Sequence, residues 1–379
     1  MTVVTGDWLT NPATQAVFDA LVAAGIDGFF VGGCVRNALL GAPVADIDMT
    51  TSATPGQVST AAEAVGLKVV PTGIDHGTVT VVSGGIPHEV TTFRRDMETD
   101  GRRAQVAFSA SMAEDAARRD FTMNALYADR RGAVTDPVGG LPDLNARRVR
   151  FIGDADARIA EDYLRILRFF RFHAWYGDPA GGLDADGLAA CAAGADGLAQ
   201  LSAERVGAEM KKLLSAPDPA PAVAAMAQAG ILARVMPGAD TKALPVLVHL
   251  EDGAGFTRRV ACLGGEDLKD RWRLSKAEAA EIALLRDLIG ADTGLAEIAY
   301  RHGADAARDV ALLRAALFEQ PLPDGMQDEV ATGAGAVFPV KAADLMPEFS
   351  GPALGAKLQE LETRWIASGF ALTRAELLG

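Results

Sequence analysis

Cysteine is scarce and unpatterned in this sequence: Cys34, Cys191 and Cys262 stand alone among 379 residues. Three thiols without regular spacing make neither a disulfide framework nor a metal-ligand cluster, and they suit a reducing cytosol. Long apolar runs are missing as well. Nowhere do about 18 uninterrupted apolar residues occur, the length that a membrane-spanning helix needs. The opening MTVVTGDWLT lacks the basic stretch and apolar core of an export signal. A cytoplasmic location with no membrane partner is expected. Positive charge is in deficit: 36 Lys and Arg against 50 Asp and Glu leave a formal charge of -14, which argues against indiscriminate binding to nucleic acid. No repeat of about 20–50 residues and no low-complexity segment is evident.

What is there is the composition of a globular chain, 49% hydrophobic and 23% charged, long enough for two or three domains. About half of the basic residues fall between Arg94 and Lys212, including pairs at 94/95, 118/119, 130/131, 147/148 and 211/212. A polyanion is expected to bind there, the alternative being solvated helix faces. The texture changes along the chain. Up to about residue 145, DGFFVGG, ADIDMTT, LKVVPTG, GTVTVVSG and HEVTTF read as strands between helical stretches and Gly/Pro turns, an α+β or α/β pattern. From about residue 150, apolar residues recur at three and four positions, as in AEDYLRILRFFRFHAW and LSAERVGAEMKKLL, and turns such as SAPDPAP, MPGAD and EQPLPDG punctuate a helical remainder. The apolar positions of PAVAAMAQAGILARVMP are expected in a core.

Residues 29–50, FFVGGCVRNALLGAPVADIDMT, carry the first chemistry. If ADIDMT is a strand, Asp46 and Asp48 share one face while Ile47 and Met49 point to the other. Two carboxylates that close repel unless a divalent cation sits between them, and a site with few carboxylates and room for phosphates suits Mg²⁺. Gly32 and Gly33, without Cβ atoms, let backbone N–H groups approach an anion at the start of the helix VRNALLG. Together these features describe a metal-triphosphate site; separately, they read as a plain turn and a solvated strand edge. Glu89, in the strand IPHEVTTFRR, is a candidate third acid, the alternative being an exposed strand glutamate.

VGGCVRNALLG with DID, then HGTVTVV, RRDFTMNAL, DPVGGLPDL, EDYLRILR and LSAERVGAEMKKLL occur in that order between residues 29 and 214, with a looser likeness at LGAKLQELETRWIASGF. The set resembles the class II tRNA nucleotidyltransferases, a family of CCA-adding enzymes that also includes bacterial poly(A) polymerases. The resemblance implies an α+β, polymerase-β-like catalytic head over residues 1–145, a helical neck for base recognition over 146–215, and a helical, RNA-binding body and tail over 216–379. It implies that Asp46 and Asp48 hold Mg²⁺, that Gly32, Gly33 and Arg36 meet the triphosphate, and that Arg119, Asp120 and Asn124 read the sugar. Arg118 and Arg168 are further nucleotide-binding candidates. The substrates implied are tRNA, CTP and ATP. Phosphoryl transfer needs mainly positioning and charge neutralisation, and no Ser, His or Cys stands out as a covalent nucleophile. No His-Asp dipeptide occurs, so the metal phosphohydrolase domain of some relatives is not expected.

Base choice follows from Asp162 and Arg165, three apart in EDYLRILR and expected to share a helix face. A carboxylate beside a guanidinium matches the amine and ring nitrogen that cytosine and adenine both present; guanine and uracil reverse that pattern. An intrahelical ion pair, Asp162 or Glu161 with Arg165, is the alternative. The charged stretch TTFRRDMETDGRRAQVAFSAS matches the position of the loop that the family uses in switching from C to A addition, or is a plain hairpin loop. The family usually carries Asp after the Arg of its first motif, where this chain has Asn37; no catalytic role is carried over to it. Rival functions are poly(A) addition, CC-only or A-only addition, and a non-catalytic RNA-binding module.

Overall fold

The computed structural model describes residues 2–96 and 106–379. The chain divides into two compact units, Met1–Leu213 with Pro221–Val235, and Leu214–Ala220 with Met236–Gly379.

In the first unit the β-branched runs form strands β1 (Gly28–Val31), β2 (Asp48–Thr51), β3 (Lys68–Gly73), β4 (Thr78–Ser83) and β5 (Ile86–Thr92), followed by β6 (Arg94–Asp96), β7 (Val106–Phe108), β8 (Tyr127–Ala128) and β9 (Val134–Thr135). Seven of them make one sheet in the order β3-β4-β5-β2-β1-β8-β9, while β6 and β7 pair separately. Its neighbours are antiparallel with one exception: β2 and β5 run parallel, with Asp48 opposite Glu89. A parallel pair needs a long crossover, supplied by the helix Pro55–Ala64 and the β3-β4 hairpin. Thr54 starts that helix with a capping box to Gln57, and Pro55 at the first turn has its fixed φ at no cost.

The helices Pro12–Ala23 and Pro55–Ala64 pack on the sheet, where Phe18 meets Phe30 edge-on at 4.7 Å. Val31, Phe93, Ala116, Ala125, Tyr127 and Ile152 gather in a second cluster. Beyond the sheet the unit is helical. Phe121, Phe151, Phe169 and Phe172 stack into an aromatic core. In PAVAAMAQAGILARVMP, Val223, Met226, Ile231 and Leu232 are buried, as a core assignment requires.

The second unit is helical wherever it has regular structure. One core gathers Leu285, Ile298, Val310 and Leu313. Another holds Leu361 and Trp365 of the helix Gly351–Ala367, with Tyr300 and Phe370 packed on the indole. Among the described residues, no helix is long and apolar enough to cross a membrane.

Candidate active site

Strand β2 begins only at Asp48, so Asp46 lies in the preceding loop rather than on the strand. The expectation that alternation alone aligns the two acids is therefore corrected: Asp46 is exposed, Asp48 half-buried and Met49 buried. The carboxylates nevertheless feel each other. Burial, then Glu89, then Asp46 push the Asp48 carboxyl above its ordinary range, and Arg119 is the opposing charge. Glu89 reaches this place through the parallel register, which sets it beside Asp48. Among the described residues, no three His, Cys, Asp or Glu side chains form a ready-made metal cluster. The donors nevertheless fit a hard divalent cation: they are all carboxylate oxygens, mutually repelling, and among the described residues no ion pair engages Asp46, Asp48 or Glu89. Mg²⁺ binds through one or two carboxylates with the remaining positions left to water and phosphate.

Next to this group the chain turns sharply out of β1. Gly32 has φ 71° and ψ -119°, a conformation that a Cβ disfavours, and Gly33 opens the helix Gly33–Leu39. A Cβ on Gly32 would sit 3.5 Å from Nη1 of Arg119, so that guanidinium lies over the turn. Cys34 is buried and its thiol is pushed up to about 11, chiefly by burial, which leaves it unreactive.

Arg36 is placed differently from the expectation of a triphosphate contact. The residue is 6% exposed: Nη1 donates to Asn124 Oδ1 at 2.5 Å, Nη2 to the Tyr176 hydroxyl at 2.8 Å, and Nε and Nη2 to Asn37 Oδ1 at 3.1 and 2.8 Å. It also lies 3.9 Å from the centroid of the Tyr176 ring. Four donor interactions and an aromatic face leave little of it for a ligand. Asn37 also donates from Nδ2 to the Pro43 carbonyl at 2.9 Å, a bond that an ionised aspartate, having no donor, could not make.

The segment RRDFTMN folds into a buried polar network. Asp120 accepts from Arg168 Nε at 2.8 Å and Nη2 at 2.5 Å, from Asn124 Nδ2 at 2.9 Å and from the Phe121 N–H at 2.8 Å. Burial by itself would raise this carboxyl, but Arg168 and those hydrogen bonds outweigh it and hold it below the ordinary range. Arg36, Asn124, Asp120 and Arg168 thus form one continuous chain, and Glu209 extends it, lying 3.9 Å from Arg168 and pairing with Arg171 at 2.5 Å. Arg119 stands apart, bonded to Asp115 and Tyr127. Arg118 is half-buried, and its carbonyl accepts from Arg165. DPVGGLPDL supports the segment from behind. Asp136 accepts the N–H groups of Gly140 and Leu141. Asp143, fully buried, accepts from Thr122, Arg148 and Arg150. A Cβ at Gly140 would lie 2.2 Å from the Thr122 carbonyl oxygen, an approach that only glycine allows.

EDYLRILR departs from the expected single helix. One helix, Ala155–Glu161, ends at Asp162 with φ -157° and ψ 103°, and the next, Leu164–Tyr176, begins two residues later. At the break the Asp162 carboxylate is engaged: its Oδ1 accepts the Leu164 N–H at 3.1 Å and its Oδ2 accepts from Arg205 at 2.7 Å. Arg165 pairs instead with Glu161 at 2.5 Å and donates to the Arg158 carbonyl at 2.6 Å. Asp162 and Arg165 are thus paired with other residues and not with each other, and the intrahelical ion pair of Arg165 forms with Glu161. Arg205 was not foreseen; its one signal is its place in LSAERVGAEMKKLL. The proposed loop's central residues, 97–105, lie outside the described residues; its ends pair as β6 and β7.

Residues 28–150 match the poly A polymerase head domain family, and residues 183–242 the family described as "Probable RNA and SrmB- binding site of polymerase A". The chain is 44% identical over 220 residues to the CCA-adding enzyme of Geobacillus thermodenitrificans, a match covering 58% of this chain and 52% of that one. It therefore spans about half the length of this bacterial relative. The mitochondrial CCA tRNA nucleotidyltransferase 1 of Mus musculus is 32% identical over 374 residues, covering 92% of this chain and 84% of the relative. The crystal structure of the Bacillus stearothermophilus CCA-adding enzyme in complex with CTP superposes with a TM-score of 0.70 at 28% identity, covering 94% of each chain. Likeness at that level along nearly the whole of both chains means that this protein belongs to the family of tRNA nucleotidyltransferases that contains the CCA-adding enzymes.

Proposed function

We propose that this chain adds C, C and A from CTP and ATP to the 3′ end of tRNA, without a nucleic-acid template and with release of pyrophosphate. The observation that carries this is the gathering of Asp48, Asp46 and Glu89 at one end of the sheet, beside a glycine turn overlain by Arg119. The names of the relatives, CCA-adding enzymes from bacteria and mitochondria, support the choice of product.

Asp46 and Asp48 would hold Mg²⁺, with Glu89 as third acid. Held there, Mg²⁺ supplies charge neutralisation at the phosphates and activation of the RNA 3′-hydroxyl. The Gly32–Gly33 turn offers backbone N–H groups to the triphosphate, and Arg119 approaches from the other side with a fixed positive charge. Because Asp120, Asn124 and Arg36 are engaged with one another, their part is to hold the sugar-facing wall in place. Asp162 reads the exocyclic amine that cytosine and adenine share, once Arg205 yields its carboxylate. Residues 1–145 would carry the transfer chemistry, 146–215 the base selection, and 216–379 the RNA contacts, in a cytoplasmic enzyme.

The test is a gel-resolved extension assay with Mg²⁺ and tRNA transcripts ending before CCA, after C or after CC, each given CTP, ATP or both. Addition of two C and one A, then arrest, is expected. Long A tracts would point to a poly(A) polymerase, partial addition to a CC-only or A-only enzyme, and no extension to an RNA-binding module.

A further inference from the structure

Arg119, its side chain only 23% exposed, is the cation nearest a Cβ at Gly32. Its guanidinium is used unevenly. Nε and Nη2 donate to Asp115 Oδ2 at 3.2 and 2.9 Å, and Nε also reaches the Tyr127 hydroxyl at 3.2 Å. Nη1 is the end that lies over Gly32. The acceptor is unusual. Asp115 sits in the helix Met112–Ala117 with its side chain 2% exposed. Its Oδ2 also accepts the Tyr127 hydroxyl at 2.7 Å, and its Oδ1 accepts the Arg94 N–H, the root of β6, at 3.2 Å. A buried carboxylate persists only when paired and fully hydrogen-bonded, and this one is. Burial works against the Arg119 cation, but Asp115 and Tyr127 more than offset it and raise its pKa above the ordinary value.

We infer that Asp115, braced by Tyr127, is a positioning residue: it holds the Nε–Nη2 edge of Arg119 so that the Nη1 end faces the nucleotide. This rests on the proposed function, in which Arg119 meets the nucleotide. Both anchors are rigid, since Tyr127 is fully buried in β8 and Asp115 is on a helix capped by Ser111. A fixed donor loses no side-chain freedom when a nucleotide arrives, which lowers the cost of binding. An arginine released from Asp115 would still carry its charge but would meet sugar and phosphate from many rotamers.

The experiment compares Asp115→Asn, Tyr127→Phe, Arg119→Ala and the double variant Asp115→Asn/Arg119→Ala. The full chain is used throughout, with the KM for CTP, kcat, the CTP-to-dCTP preference and the melting temperature as readouts. Asp115→Asn is expected to raise KM about tenfold by loosening a charge-assisted pair, with a smaller effect on kcat. Tyr127→Phe should move KM in the same direction by less. In the double variant the two losses should not add, because Asp115 acts through Arg119. Unchanged KM and sugar preference in both single variants at Asp115 and Tyr127, or additive losses in the double variant, would overturn the inference even if melting temperatures fall. If Asp115→Asn does not fold, Tyr127→Phe and its double variant with Arg119→Ala carry the same cycle. If Arg119→Ala itself leaves KM and sugar preference intact while the enzyme still extends tRNA, the assignment of Arg119 to the nucleotide fails, and the inference with it.

Discussion

Alanine at Gly32 and, separately, alanine at Gly33 should have opposite effects on stability although the two positions are adjacent. At Gly32 the surroundings are permissive: the nearest atoms to a new Cβ are Arg119 Nη1 at 3.5 Å and the Asn124 carbonyl oxygen at 3.7 Å, both ordinary contacts. The obstacle is the residue's own backbone, at φ 71° and ψ -119°, where a side chain costs about 1–3 kcal/mol. Gly33 is the first residue of a helix, and its Cβ would meet nothing nearer than Arg36 Nη2 at 3.9 Å. Alanine in a helix is favoured over glycine by roughly 0.5–1 kcal/mol, so Gly33→Ala should fold as well as the parent or slightly better. The two variants should therefore differ by about 1.5–4 kcal/mol, several degrees in melting temperature by calorimetry. Activity should divide differently. Both added methyl groups crowd the turn proposed to meet the triphosphate, so both variants should show a raised KM for CTP, and Gly33→Ala should do so without any loss of stability. Equal stability of the two proteins would refute the claim that this turn demands glycine; an unchanged KM in Gly33→Ala would refute its role in holding phosphate.

Asp48→Asn should abolish extension and yet raise the melting temperature of the metal-free protein at neutral pH. Its carboxyl is pushed up by burial, Glu89 and Asp46; a raised folded pKa contributes stability while the group is protonated and loses it as pH rises through that value. A lower melting temperature in the variant would contradict the assignment. Arg205→Ala should free the Asp162 carboxylate and lower the KM for CTP and ATP by up to about fivefold, the yield of an exposed pair worth roughly 0.2–1 kcal/mol, with GTP and UTP still refused. A raised KM would mean that Arg205 itself binds the nucleotide. His88 and His173 both have pKa values lowered by burial, with Asp178 opposing at His173. Such groups resist protonation in the fold, so stability should fall as pH drops below the unfolded value of about 6.5. Melting curves in that window should show a smaller fall for His88→Gln, which removes the titrating ring beside Thr14; an equal fall in both proteins would remove His88 from the explanation.

Much of the head was legible because its signals are local. DGFFVGG and GTVTVVSG are β-branched or aromatic runs bounded by glycine, and they appear as β1 and β4. Asp48 and Glu89 were recognisable as acids on strands, although their proximity depends on a parallel pairing that no local pattern specifies. The break at Asp162–Tyr163 left no mark: there is no proline or glycine, and the apolar period runs on through Ile159, Leu164 and Leu167. The sequence expectation sets Asp162 on one face with Arg165, three residues on, and gives no sign of the residue it pairs with, Arg205, which lies 43 positions along the chain. Asp115 was missed for a similar reason. Its hydrogen bonds join a helix, a strand end and a hairpin root, and sequence spacing does not encode such meetings.

The chain of side chains from Arg36 through Asn124 and Asp120 to Arg168 bears on how this protein could be dissected. A fragment ending near residue 145, where the sheet is already complete, would keep Asp120 and Arg36 but lose Arg168 and Tyr176. A buried carboxylate stripped of its counter-ion costs about 3–5 kcal/mol, a large share of the stability of a small domain. The smallest autonomous piece that holds the sheet and this network therefore extends at least through the helix Leu164–Tyr176, and shorter clones of the sheet alone should yield insoluble or loosely folded protein.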